Sequence, residues 1–226
     1  MAAPIQLVLP VVRRAAPSLD NFLGNREVVA RLRGIAALPQ YSRIWLIGGP
    51  GSGKTHLVGA VLNAARTAGH RVGEIVPRQA QPDDLRQLAG LDLAGIDGAE
   101  AIGGDPAWEA ALLQLCNEQR GSIVFTAMRH PADAGVVLPD LRSRLVACEV
   151  YRLVGLSDPD RLALLGARAA ALGIALPDDV ARYLLVRLPR DAATLTAAID
   201  GLDLASWRTQ RRLTVPFVRD VLRDKP

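Results

Sequence analysis

Eight residues, Gly48-Gly49-Pro50-Gly51-Ser52-Gly53-Lys54-Thr55, have the types and spacing of a phosphate-binding loop. Glycines let successive backbone N–H groups turn inward on phosphate oxygens, the Lys54 ammonium reaches the outer phosphates, and the Thr55 hydroxyl is placed to hold a magnesium ion. Such a loop must leave a strand and enter a helix. The apolar run Ile44-Trp45-Leu46-Ile47 precedes it, and Thr55 to Ala68 carries Leu57, Val58, Val61, Leu62 and Ala65 on one helical face, closed by Gly69. Only two of the 27 basic residues are lysines, Lys54 and Lys225. With this composition a chance match to the motif has odds on the order of one in a thousand.

Three further positions could do chemistry beside bound phosphates. Asp97 ends the run Leu93-Ala94-Gly95-Ile96, where a phosphate-loop protein keeps the carboxylate that orients a magnesium-bound water, although an aspartate also opens turns. In hydrolysing proteins of this kind a second acidic residue follows and polarises the attacking water; here that position is Gly98, and Glu100 stands two residues on. Thr126, at the end of the run from Ser122 to Ala127, is a candidate phosphate sensor or plain β-branched strand filler. Arg144, within Pro139-Asp140-Leu141-Arg142-Ser143-Arg144-Leu145, falls on a short helix at the edge of the domain, where an arginine acting in trans belongs; the alternative is a solvated helix face.

The elements that must position these residues alternate. Apolar runs at Val72 to Val76, Leu93 to Ile96 and Ser122 to Ala127 are separated by helical patterns near Asp83 to Ala89 and Trp108 to Glu118, which predicts a doubly wound parallel sheet. A helix from Glu27 to Ala36 leads into the first strand, one from Leu138 to Leu145 follows the fourth, and Ala147 to Leu153 supplies the fifth. Beyond Leu156 the texture changes to amphipathic helices at Pro159 to Leu172, Pro177 to Leu188, Ala192 to Trp207 and Pro216 to Leu222. The expected division is an extended leader, 1–18, an α/β nucleotide-binding domain, 19–155, and a small all-helical lid, 156–226.

At 226 residues with 50% hydrophobic content the chain can bury a real core, and the expectation is a soluble, cytoplasmic, globular protein. No apolar run approaches the ~20 residues needed to span a bilayer, and no secretory signal opens the chain. Cys116, in a helical pattern, and Cys148, in a strand-like one, lack metal spacing and read as buried thiols. The net charge of +4 permits nucleic-acid contact, but the arginines are scattered, so direct DNA binding is expected to be weak or absent.

The order of these features resembles the AAA+ ATPases, and more narrowly their DnaA-like branch: Leu19-Asp20-Asn21-Phe22, the loop running on through His56 and Leu57, Ile96-Asp97, Asp140 to Leu145, then a helical lid. DnaA itself carries a C-terminal DNA-binding domain, which is not seen before Pro226. The N-terminal pentapeptide Gln6-Leu7-Val8-Leu9-Pro10 resembles the sliding-clamp-binding motif of the Hda family of DnaA-related regulatory inactivators. Val154-Gly155-Leu156-Ser157-Asp158, Leu176 to Val180 and Leu213 to Val218 resemble the same family. An extended segment of this kind drops Leu7 and Leu9 into an apolar cleft while Gln6 hydrogen-bonds at its rim.

The resemblance implies a P-loop AAA+ domain with a five-stranded parallel sheet and a helical lid, binding ADP or ATP with Mg2+ held by Thr55 and Asp97. It carries nucleotide contact to His56 and places adenine contacts around Phe22 and Leu23. It implies an adaptor that docks on the DNA-loaded sliding clamp and on DnaA, where Arg144 promotes hydrolysis of DnaA's ATP and so restrains initiation of replication. Nucleoid association through the clamp and a nucleotide-dependent homo-oligomer belong to the same picture. Two departures favour a stable bound diphosphate over turnover: Gly98, and Ala193 where the family's lid helix carries an arginine, with Arg190 nearly one turn away. The competing reading is a DnaA-like ATPase acting in its own right, for instance in helicase loading.

Overall fold

The computed structural model describes residues 17–20, 22–189 and 191–223. The pentapeptide Gln6 to Pro10 lies outside them, as does Arg190. Helix α1 (Arg26–Ala37) leads to β1 (Arg43–Ile47), and α2 (Lys54–Thr67), β2 (Val72–Ile75), β3 (Leu93–Ile96), α3 (Pro106–Glu118), β4 (Ser122–Ala127), α4 (Pro139–Val146) and β5 (Glu149–Arg152) follow. The strands form one parallel sheet in the order β2-β3-β4-β1-β5. This is the doubly wound, five-stranded α/β architecture that the alternation predicts.

Strand periodicity explains why the sheet needs helices on both faces. Ile44 and Leu46 of β1, with Leu93 and Val124, pack against α1 and α2. Trp45 and Ile47, with Ala94, Ile96, Ile123, Phe125 and Ala127, pack against α3 and α4. The inner strands are therefore buried along their length, whereas β2 and β5, at the edges, carry the polar residues Glu74 and Glu149. Gly95 lets α2 approach β3: a Cβ there would stand 2.7 Å from Val58 and 3.0 Å from Leu62.

Between β2 and β3 the sequence reads as an α-helix, but the segment Pro82–Leu88 is a run of 3₁₀ turns. Pro82 starts it and a Gln81/Asp84 capping box holds it. Seven residues ending before Gly90 leave little length for the cooperative α form. Cys148 is buried in the turn before β5 rather than in the strand. Desolvation pushes its thiol up to about 12 and raises that of Cys116.

Four helices follow: α5 (Asp158–Ala171), α6 (Asp178–Arg187), α7 (Ala192–Thr209) and α8 (Val215–Arg223). Ser157 and Asp160 form a capping box at the start of α5. The four helices share a core of their own, built on Leu165, Val180, Leu184, Leu195, Ile199, Leu202, Phe217 and Val218. No helix among the described residues is long and apolar enough to cross a membrane.

Candidate nucleotide site and an outlying arginine

The phosphate loop leaves the C-terminal end of β1, between β4 and β5, and enters α2 at Lys54. This is the position in an open parallel sheet where helix N-terminal N–H groups converge on an anion. Gly53, the residue before α2, has φ of 91°, and a Cβ on it would meet the Phe22 ring at 2.6 Å. Only glycine serves there, because the backbone is left-handed and the ring is already seated. Phe22 also packs on His56, with ring centroids 5.8 Å apart, and His56 Nε2 lies 3.2 Å from the Ser18 carbonyl oxygen. Leu23, beside Phe22, is partly buried. The leading segment thus packs over the end of the loop and the first turn of α2.

Lys54 Nζ donates to the carbonyls of Gly48 at 2.6 Å and Gly49 at 2.9 Å, and Ser52 Oγ stands at 3.5 Å. Burial lowers the lysine's pKa, and the carboxylates of Glu100 and Asp97 oppose that shift. Thr55 Oγ1 donates to Asp97 Oδ2 at 2.8 Å. Thr126, fully buried, donates its hydroxyl proton to Asp97 Oδ1 and accepts from the Gly98 N–H at 2.9 Å. Its hydroxyl is therefore committed to Asp97 and the following turn, a closer involvement with the carboxylate than the sequence suggested.

The Thr55 hydroxyl and the Asp97 carboxylate are hard oxygen donors side by side, which fits Mg2+. Among the described residues no cluster of three or more acidic, histidine or cysteine side chains offers an alternative metal site. A cation on Thr55 and Asp97 would draw its remaining ligands from phosphate and water, as magnesium does. When bound it would neutralise phosphate charge.

Arg144 stands elsewhere. It is exposed near the C-terminal end of α4, without a partner among the described residues. It lines a cleft of about 480 Å3 with Tyr41, Ser42 and Arg43, at the start of β1, and Cys148 and Glu149, at the start of β5. The loop follows the other end of β1. The four steps between its five residues, at about 3.3 Å each, put roughly 13 Å of strand between the two ends.

One carboxylate escaped notice in the sequence. Glu109 is 1% exposed and accepts hydrogen bonds from the N–H groups of Gly104 at 2.8 Å, Val137 at 2.9 and 3.0 Å, and Leu138 at 2.7 Å. Desolvation opposes its charge, but the N–H groups of Leu138, Val137 and Gly104 outweigh it, so the carboxyl titrates below its ordinary range. It ties the segment after Asp97 to the entry of the helix that bears Arg144. The signal was available: Glu109 falls in the buried stripe Trp108, Leu112, Leu115, Cys116 of α3. Asp191 is a second unanticipated neighbour of the loop: its side chain packs so closely on Gly51 that a Cβ there would collide with it. Its Oδ1 caps α7 by accepting from Thr194 N at 2.8 Å. Ala193 lies in the first turn of that helix.

Residues 158–222 match the family model described as Hda, lid domain. The chain has the AAA+ fold of DnaA, and its helical lid is similar to that of the Hda family. Among solved structures, domain III of the Thermotoga maritima replication initiation protein DnaA aligns with a TM-score of 0.75 at 20% identity, covering 92% of this chain and 97% of that one. The replication initiator DnaA bound to AMPPCP and single-stranded DNA aligns at 0.72 and 22% identity, over 86% of this chain and 68% of that one. A Thermotoga maritima RuvB Holliday junction branch migration motor aligns at 0.69 and 18%, over 92% and 71%.

Proposed function

We propose that this chain is a nucleotide-bound adaptor that docks on the DNA-loaded sliding clamp and stimulates ATP hydrolysis by DnaA, so restraining initiation of replication. The observation that carries the reading is the placement of Arg144: exposed, unpaired among the described residues, and at the end of the sheet away from the chain's own loop. An arginine so placed is out of reach of the chain's own phosphates and open to those of another molecule. It would neutralise charge developing on DnaA's transferring phosphoryl group, while DnaA supplies the rest of the reaction.

The chain's own site holds ADP or ATP in this reading. Gly48 to Lys54 cradle the phosphates, Thr55 and Asp97 hold Mg2+, and Phe22, Leu23 and His56 face the base side. Gln6 to Pro10 would occupy the clamp's peptide cleft. The chain then works in the cytoplasm, at the nucleoid through the clamp, with direct DNA contact minor and self-association set by the nucleotide. We also propose the division 1–18, 19–155 and 156–226, with the boundary just before the Ser157 cap. The Hda lid match supports a regulator of this kind.

The test uses purified chain, clamp loaded on DNA, and ATP-loaded DnaA. Gln6→Ala should lose capture by the clamp, and Arg144→Ala should be captured normally yet fail to stimulate DnaA. Normal clamp capture of the Gln6 variant, or full stimulation by the Arg144 variant, would remove the reading.

A further inference from the structure

Glu149 opens β5 and lines the same cleft as Arg144. Only the turn Ala147-Cys148 separates it from the helix that carries the arginine, and Cys148 Sγ lies 3.7 Å from the Arg144 carbonyl oxygen. A carboxylate that leaves the chain one residue beyond that contact is a ready partner for an exposed guanidinium, because opposite charges attract across a few ångströms even near water. Yet no ion pair joins Glu149 to Arg144 among the described residues.

The cause lies on α1. Arg31 engages both oxygens of Glu149, Nε donating to Oε2 at 2.8 Å and Nη2 to Oε1 at 2.6 Å, in the two-pronged geometry that matches guanidinium to carboxylate. Nη2 also donates to Ser42 Oγ at 2.8 Å, and the Tyr151 hydroxyl donates to Glu149 Oε2 at 3.3 Å. The two side chains are 34% and 43% exposed, so the pair adds little to stability as a strut between α1 and the sheet. Its larger effect is to fix where the Glu149 carboxylate points. The cleft's other arginine, Arg43, is already committed: its Nη1 and Nη2 donate to the carbonyls of Gly121 and Gln119, both at 2.7 Å. Of the two arginines that line the cleft, Arg144 is the one open to a new partner.

We propose that Arg31 is a positioning residue for Arg144: by engaging both oxygens of Glu149 it keeps that carboxylate off Arg144, which stays available for a partner's phosphates. This rests on the reading of Arg144 given above and adds a residue that never meets the phosphates itself. Without the Arg31 charge, Glu149 is released beside an exposed cation. It then pairs with Arg144 and turns negative charge toward an incoming triphosphate, and both effects weaken the stimulation of DnaA.

The experiment measures ATP hydrolysis by ATP-loaded DnaA in the presence of clamp loaded on DNA and full-length chain: wild type, Arg31→Met, Glu149→Gln, the double variant, and Arg144→Ala. Methionine keeps an unbranched apolar stem and removes the charge. Arg31→Met should lower stimulation about fivefold, the scale of one exposed ion pair, Glu149→Gln should stimulate as wild type does, and the double variant should recover to within about twofold of wild type. That recovery also excludes a folding defect in Arg31→Met. A strut would behave otherwise: both single variants would lose stimulation and the double variant would do no better, which overturns the proposal. Full stimulation by Arg31→Met, with none by Arg144→Ala, overturns it as well and leaves the reading of Arg144 standing. Full stimulation by Arg144→Ala refutes that reading itself, a distinct result.

Discussion

Arg144 and Lys54 lie at opposite ends of the same parallel sheet, with β1 between them. A cation that far from its own phosphate loop cannot stabilise charge developing there. The two residues should therefore separate by assay. Lys54→Ala should abolish nucleotide binding by this chain, whereas Arg144→Ala should leave its nucleotide affinity within about twofold and lower stimulation of DnaA by roughly 10³-fold or more. Calorimetric titration and a DnaA hydrolysis assay check the two halves, and a large fall in this chain's own nucleotide affinity on Arg144→Ala would refute the separation.

Thr126 is buried strand material whose hydroxyl nevertheless fixes Asp97. Thr126→Val keeps the shape and removes the hydrogen bonds to Asp97 and from Gly98. Supporting groups of this kind alter metal affinity by about 10–100-fold. The variant should therefore lose magnesium-dependent nucleotide affinity on that scale while its affinity in EDTA changes little, which titrations with and without magnesium will show.

Glu109 gives a pH dependence with a defined sign. Its carboxyl is held below the ordinary range in the folded protein, chiefly because the Leu138, Val137 and Gly104 N–H groups overcome desolvation. The unfolded state then binds the proton first. The stabilisation is complete above the unfolded value of about 4.3 and is lost as pH falls through the lower folded value. Glu109→Gln should cost about 1–3 kcal/mol at pH 7. In urea titrations from pH 7 to pH 3 the gap between wild type and variant should narrow below about pH 4.3; a gap independent of pH would show that the charge is not what holds the loops.

Gly53→Ala tests the seating of the leading segment on the loop. The left-handed backbone alone costs about 1–3 kcal/mol for a residue with a Cβ, and that Cβ would displace the Phe22 ring. Nucleotide binding should fall sharply with a lowered melting temperature. Phe22→Ala in the Gly53→Ala background should recover part of the melting temperature, because the clash is relieved, but not the nucleotide affinity.

The sequence by itself determined the phosphate loop, the strand and helix that flank it, the parallel α/β alternation and the helical lid, because each is written in local terms: glycine spacing, a period of two or of 3.6, a capping Ser157. It also singled out Asp97, Thr126 and Arg144 by position along the chain. What it could not supply was relation across the sheet. That Thr126 bonds Asp97 follows from β3 and β4 being neighbours, as paired at Ile96 and Phe125. That the turn at Gly98 is anchored depends on Thr126, a residue 28 positions later in the chain. That Glu109 ties two loops, and that Arg144 stands at the far end of β1, are facts of helix packing on a sheet face. Local periodicity names the residues that can do chemistry; only the closing of the sheet and the packing of its helices decide which of them share a site, because those distances are set by contacts between segments far apart in the chain.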